Sequence, residues 1–252
     1  MPEDAPSSAD RTLQALAAAF DQTRPRRPED DHDPDVPVAA TVLILRDGDG
    51  GPEVLMIERP DRGSFAGAWV FPGGKVDPGD AESDDAAEED TARWAAVRET
   101  REEAGLEFEP DELVTVSRWD PPPGLPLRIR TWFFAARATD AELVLSVDEV
   151  VAAAWVRPGD VLERHGRGQI TLYPPTWVTL HDLAEGRDVE TILERHRREG
   201  MRHFGTAARR GSEGPIMLWS GDAEYDPDAG TSPSARHRLE LGILPWRYTR
   251  KM

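Results

Sequence analysis

Residues 98–106 read Arg-Glu-Thr-Arg-Glu-Glu-Ala-Gly-Leu, and a glycine turn, Phe71-Pro72-Gly73-Gly74-Lys75, lies upstream of them. A helix advances about 100° per residue. Glu99, Glu102 and Glu103, spaced i, i+3 and i+4, therefore share one face. Trp94, Val97 and Ala104 fall on the opposite face and are expected to be buried. Gly105 is a stop signal for the helix. Three like charges on one face repel each other unless a cation sits among them. Mg²⁺ takes oxygen ligands, commonly one or two carboxylates plus phosphate oxygens of a substrate. Such a site can polarise a phosphoryl group and generate a nucleophilic hydroxide. Arg98 sits beside the cluster, placed to orient a carboxylate through a two-pronged contact.

Charge narrows the partners. The formal net charge is -18, and it is unevenly spread. Residues 1–185 carry 18 Lys and Arg against 38 Asp and Glu, and residues 186–252 carry 12 against 10. An acidic body lacks the cations that displace counterions from nucleic acid, and it opposes anionic membrane surfaces. There is no cysteine, so disulfides and thiol catalysis are excluded. No apolar run approaches the roughly 18–20 residues of a membrane span. The N-terminus shows no cationic start followed by an apolar run. A cytoplasmic protein with a small-molecule partner is the expectation.

Three segments are expected along the chain. Residues 1–36 form an amphipathic helix (Leu13, Leu16, Ala17, Phe20, with Ser8 or Asp10 as cap) and a loose acidic linker over 24–36, where prolines and like charges oppose packing. Residues 37–185 form the main domain. Residues 186–252 form an extension of helix and short strands. Strands are predicted at Val38–Leu45, Glu53–Ile57, Ala68–Phe71, Leu113–Trp119, Leu127–Ala136 and Val150–Val156. Helices are predicted at Thr91–Ala104, Pro158–His165, Pro175–Leu183 and Val189–Arg198. Further short strands are predicted at Ile216–Trp219, Leu239–Leu241 and Trp246–Tyr248. Arg195, Arg197, Arg198, Arg202, Arg209 and Arg210 make a basic run in the extension, read as a solvated helix face. The six histidines show no zinc spacing, and His196 and His203 are expected at the surface.

The Gly74 turn with Arg98, Glu99, Glu102, Glu103, Gly105 and Leu106 resembles the box of the Nudix hydrolase superfamily: Gly, five residues, Glu, seven residues, Arg-Glu-U-x-Glu-Glu-x-Gly-U, with U bulky and apolar. The resemblance implies an α/β (α+β) fold, an α/β/α sandwich with a mixed sheet. It also implies Mg²⁺- or Mn²⁺-dependent hydrolysis of a pyrophosphate bond in a nucleotide derivative. By the same resemblance Glu102 and Glu103 are the principal metal ligands, and Glu99 is a further ligand or orients the attacking water. Arg98 holds the carboxylates, and the Gly74 carbonyl is a ligand at the turn. Glu149, six residues before Trp155, is a candidate base or ligand. Arg59, Lys75 and Phe71 are candidates for substrate contact. Two departures stand out. Thr100 replaces an aliphatic residue, and the middle of the box is about ten residues too long. Asp80, counted from Gly74, or Asp90, counted from Arg98, fills the first Glu position, with Asp80 preferred.

Glu58-Arg59-Pro60, residues 64–74 and Tyr173-Pro174-Pro175-Thr176-Trp177 are similar to the coenzyme A diphosphatase branch. Coenzyme A or an acyl-CoA is one substrate this implies. ADP-ribose, a nucleotide sugar, or binding without cleavage by a regulator are the alternatives. The terminal segments could also form a homodimer interface.

Overall fold

The computed structural model describes residues 18–63, 65–83, 85–226 and 230–251. The N-terminal helix expected from Leu13, Leu16 and Ala17 lies outside these, apart from a helical stretch over 18–20 that carries the buried Phe20.

A hairpin opens the main sheet. β1 (Val38–Gly48) and β2 (Gly51–Glu58) are antiparallel, with Gly48 facing Gly51 across Asp49-Gly50. β3 (Trp69–Val70) pairs with β2 and β4 (Gly73–Lys75) with β1. β5 (Val114–Asp120), β6 (Arg130–Arg137) and β7 (Ala152–Val156) follow. β1 runs parallel to β6, so the sheet is mixed. Its order is β3-β2-β1-β6-β5-β8, with β4 beside β1 and β7 beside β2. The strand β8 (Arg202–Gly205) comes from the extension and lies parallel to β5.

Side chains alternate across this sheet. Ala40, Val42, Ile44, Leu55, Trp132 and Phe134 belong to one core. Leu43, Leu45, Val54, Met56, Phe133 and Ala135 belong to the other. The first core is covered by α1 (Glu88–Ala104), whose buried residues are Ala92, Ala95, Ala96, Thr100, Glu103 and Ala104. Small side chains there bring the helix close to the strands. The expected apolar face is corrected accordingly: Trp94 and Val97 are only half-buried. The face that turns inward carries Glu103, because the glycine turn beneath it accepts a carboxylate. The helix ends at Gly105, whose left-handed φ of 70° lets its N–H bond the Arg101 carbonyl at 3.0 Å. It begins three residues before the predicted start. Glu88 accepts from Trp132 Nε1 at 2.9 Å and Arg130 at 2.8 Å, and Glu89 accepts from the Thr115 hydroxyl at 2.5 Å.

The second core is covered by α2 (Pro158–Gly166), α3 (Pro174–Leu183) and α4 (Val189–Glu199). It continues into the extension through Trp219, Leu239, Leu241 and Trp246. There β9 (Ala207–Gly211), β10 (Gly214–Leu218), β11 (Arg236–Glu240) and β12 (Arg247–Lys251) form a four-stranded antiparallel sheet. Trp119 of β5 stacks on Phe204 of β8, with centroids 3.9 Å apart and planes 1° from parallel. A bulge between Thr115 and Ser117 shifts the β5 register and turns Trp119 toward this second core.

Two expectations about charged segments are overturned. The basic run is no single helix face: Arg195, Arg197 and Arg198 lie on α4, Arg202 on β8, and Arg209 and Arg210 on β9. The linker over 24–36 is a fastened strap. Arg24 grips Asp30 through both guanidinium nitrogens, at 2.8 and 2.5 Å. Arg26 bonds Asp31, the Pro121 carbonyl and the Thr206 carbonyl. Arg118 and Arg130 donate to the Asp31 carbonyl, and Arg128 pairs with Asp33. Like charges did not keep the segment loose, because its own Arg24 and Arg26 pair with Asp30 and Asp31, and Arg128 of the loop between β5 and β6 pairs with Asp33.

Candidate active site

Gly73 and Gly74 set the site's geometry. Gly73 has φ 152°, and a Cβ there would lie 2.2 Å from the Ala40 carbonyl oxygen. A Cβ on Gly74 would lie 2.3 Å from the Glu99 carboxyl carbon. Glycine at both positions lets the turn lie against β1 on one side and against the carboxylate of α1 on the other.

Glu103 is 1% exposed and is held by two contacts. The Gly73 N–H donates to Oε2 at 2.7 Å, and Arg59 donates to Oε1 at 2.9 Å. Burial pushes its carboxyl up to about 7, against the lowering effect of those two contacts; the charges of Glu99 and Glu149 add to the rise. Glu99 is also raised, first by burial, with Glu102 and Glu149 adding to it and Arg98 opposing. Glu102, expected beside Glu103 as a principal ligand, is exposed and does not line the cavity, its carboxylate 3.3 Å from Arg98. Glu149, in an exposed turn before β7, faces the same cavity as Glu99 and Glu103.

Arg98 organises the acids. Its Nε and one terminal nitrogen each meet an Asp80 oxygen at 2.9 Å. The other terminal nitrogen reaches Glu99 at 2.8 Å. The Lys75 carbonyl accepts a further bond at 3.0 Å. Asp80, in a 3-10 turn over Pro78–Asp80, also accepts from the Asp77 N–H at 2.7 Å. Burial raises the Asp80 carboxyl, but the Arg98 bond, the Asp77 N–H and the Arg98 charge together outweigh it and hold it below the usual range. Asp90 is exposed in the first turn of α1, eight residues from Arg98. The extra length of the box divides between the loop over 81–87 and the early turns of α1. Thr100, at the position of the aliphatic residue, is fully buried, and its hydroxyl has no hydrogen-bond partner.

Glu99, Glu103 and Glu149 open onto a cavity of about 680 Å³, which neither Glu102 nor Asp80 lines. Arg59, Lys75, Phe71 and Gly74 line it, as do Phe65, Tyr173, Pro174, Pro175 and Thr176. Residues widely separated in the sequence are thus gathered on one wall. Sequence reasoning did not foresee Phe20, Thr41, Thr131, Thr206, Met217 or the proline-rich loop over 121–127 as lining residues. No motif marks them: Thr41 and Thr131 come from β1 and β6, Phe20 from the stretch before the strap, and Thr206 and Met217 from the extension.

A second group of donors, Asp31, Asp120 and His203, has ligand atoms within 4.8 Å of one another. Its chemistry differs. Burial raises Asp120, but His203 at 2.5 Å and Arg130 at 2.6 Å override it and hold the carboxyl at about 2. Arg118 adds a contact at 3.1 Å, and Arg26 binds Asp31 at 2.6 Å. Cations already neutralise this group, and it ties the strap to β5 and β8. The box acids are the ones whose chemistry would suit a divalent cation. They are an all-oxygen set short of cations, two of them are raised by burial, and a Gly74 side chain would fill the space beside them.

Comparison with known proteins agrees with this geometry. A NUDIX domain model matches residues 35–175. CTP pyrophosphohydrolase of Escherichia coli strain K12 is 31% identical over 121 residues, which is 48% of this chain and 76% of that protein. Adenine DNA glycosylase of Mus musculus is 35% identical over 78 residues, covering 31% of this chain and 14% of the glycosylase. A NUDIX hydrolase structure from Alicyclobacillus acidocaldarius superposes with a TM-score of 0.55 at 27% identity, covering 64% of this chain and 96% of that one. The chain belongs to the Nudix family, and it is a pyrophosphohydrolase acting on nucleotide derivatives.

Proposed function

We propose that the chain hydrolyses the pyrophosphate bond of a nucleoside diphosphate joined to a second moiety, releasing a nucleoside monophosphate and a phosphorylated remainder. The observation that carries this reading is the convergence of Glu99, Glu103 and Glu149 beside the Gly73-Gly74 turn at one cavity. Glu99, Glu102 and Glu103 would hold Mg²⁺ or Mn²⁺, with the Gly74 carbonyl nearby. The bound ion supplies charge neutralisation at the phosphoryl oxygens and lowers the pKa of water. Arg98 fixes Glu99 and Glu102 against movement and takes Asp80 as its partner, a contact that supports reading Asp80 as the first acidic position of the box. Glu99, raised by burial, is suited to orient a water and accept its proton, with Glu149 placed to assist. Lys75, and Arg59 when released from Glu103, would meet the phosphates.

Coenzyme A and its thioesters are candidate substrates. In support, Arg59, Phe65, Phe71, Tyr173 and Thr176, all from stretches similar to that branch, line one cavity. A nucleoside triphosphate is a second reading, favoured by the likeness to CTP pyrophosphohydrolase. A panel of coenzyme A, acyl-CoA, ADP-ribose, a nucleotide sugar and CTP, with and without Mg²⁺, separates them by the monophosphate released. Glu102→Gln and Glu103→Gln should each lower turnover by about 10²–10⁴-fold. Near-wild-type rates in both would refute the assignment. A cytoplasmic location and a homodimer also belong to this reading, and light scattering tests the second.

A further inference from the structure

The cavity has two chemically distinct ends. Five of its six charged lining residues, Arg59, Lys75, Glu99, Glu103 and Glu149, gather at the glycine turn and the carboxylate helix. The sixth, Asp120, spends its oxygens on Arg130, Arg118 and His203. The remainder of the wall is apolar, built from Phe20, Phe71, Trp119, Leu125, Phe133 and Met217. Its hydroxyl groups are few, and two are already engaged: Thr41 donates to the Pro72 carbonyl at 2.7 Å, and Thr206 accepts from Trp219 Nε1 at 3.1 Å.

The apolar end is built in part by residues outside the matched family stretch. Phe20 comes from the helical stretch just before the strap, and Thr206 and Met217 come from the extension. Arg26 holds these parts in register. Its side chain is 7% exposed, and it bonds Asp31, the Pro121 carbonyl of the lining loop and the Thr206 carbonyl. The Arg24 N–H bonds the Pro123 carbonyl at 3.1 Å. At Gly124, φ is 91°, and a Cβ there would lie 2.4 Å from the Gln22 carbonyl oxygen, so strap and loop touch backbone to backbone.

A charged group placed in this end would lose water without meeting a free opposite charge, and a richly hydroxylated one would find few partners. An apolar group would gain by leaving water. We propose that the site selects nucleoside diphosphate derivatives whose arm beyond the phosphates is uncharged and apolar, with Phe20 and Met217 as specificity determinants and Arg26 as a positioning residue. This rests on the pyrophosphohydrolase reading above and names the class of substrate that reading leaves open.

The test uses two esters with the same head, adenosine 5′-diphosphate octyl ester and ADP-ribose. AMP release with Mg²⁺ and direct binding by calorimetry are both measured on the full chain. The octyl ester should show a kcat/KM and an affinity at least about tenfold higher. Phe20→Ala should remove most of that preference, chiefly through KM, and Phe20→Leu should restore it. Leu127→Ser tests the rim without disturbing the core, since Leu127 is 53% exposed and lines the cavity. It should lower the preference by a smaller factor. Arg26→Lys, which keeps charge but loses the fork, should raise KM for the octyl ester with kcat unchanged. AMP release from both esters without preference, or a preference untouched by Phe20→Ala and Leu127→Ser, overturns the proposal and leaves the hydrolytic reading standing. Tighter binding of the octyl ester without AMP from either supports the proposal and overturns the hydrolytic reading.

Discussion

Replacing Glu103 by Gln should stabilise the metal-free protein, and the gain should depend on pH. The Glu103 carboxyl is pushed by burial from its ordinary value of 4.5 up to about 7. Between those values the folded state holds a proton that the unfolded state has released. Stability therefore falls as pH rises from 4.5 to 7 and levels off above. The interval corresponds to about 3 kcal/mol for the ionised form relative to the neutral one. Glutamine mimics the neutral form and can still accept from the Gly73 N–H. In EDTA at pH 8, Glu103→Gln should melt roughly 6–12 °C above wild type, and the difference should vanish near pH 4.5. Added Mg²⁺ should stabilise wild type more as pH rises, because the ion takes the ionised carboxylate, and should leave the variant nearly unmoved. Thermal melts across pH 5–8, with and without Mg²⁺, read all of this. Parallel curves for the two proteins, or a less stable variant at pH 8 in EDTA, would refute the argument that burial destabilises this ionised carboxylate.

Other outcomes follow from the same geometry. Asp80→Asn, which removes the charge from the fork around Arg98, should cost about 2 kcal/mol in urea unfolding and lower turnover, whereas Asp90→Asn should change neither. The reverse ranking would move the first acidic position of the box to Asp90. Gly73→Ala should cost about 3 kcal/mol or more, since its Cβ meets backbone that cannot step aside; urea titration of the variant measures this, and a loss under 1 kcal/mol would mean that the turn gives way.

Much of the site could be read from residue spacing. The carboxylate helix, its stop at Gly105 and the turn at Gly73-Gly74 are local features, fixed by helix periodicity and by conformations that favour glycine. The alternation along β1 and β6 is local as well, and it placed both strands within a few residues. What escaped has a physical reason in each case. β4 is three residues, two of them glycine, and carries no apolar pattern. β8 and β9 are rich in arginine because Arg202 answers Asp182 at 2.9 Å and Arg210 pairs with Asp21, so their polarity reports distant partners. The bulge that turns Trp119 toward the cavity leaves no mark in composition. Phe20 lines the cavity beside a strap whose Arg26 and Asp33 are tied to Pro121, Thr206 and Arg128, about a hundred residues or more away.

The strap shows why a count of charges is a poor guide to order. Its acids look solvated in sequence, yet Asp30 is buried and paired, and Asp31 lies within 4.8 Å of the Asp120 carboxylate and the His203 ring. The acids of α1 have the same composition and the opposite balance. Glu103 is buried and Glu99 half-buried beside Glu149, and Arg98 and Arg59 must serve four carboxylates between them. Where cations match acids, as around Asp120, the carboxyl falls to about 2 and the cluster becomes a fastening. Where cations fall short, as around Glu103, the carboxyl rises to about 7 and the fold tolerates an ion-shaped deficit. Among the described residues only the Asp31, Asp120 and His203 group brings its ligand atoms within 4.8 Å of one another, so proximity alone picks the neutralised cluster, and the sign and number of the neighbours separate the two. The same reasoning explains why the deficit lies at the polar end of the cavity. A phosphate arriving there needs a cation that the chain does not itself provide in excess, while the arm behind it enters a wall with no charge left to satisfy.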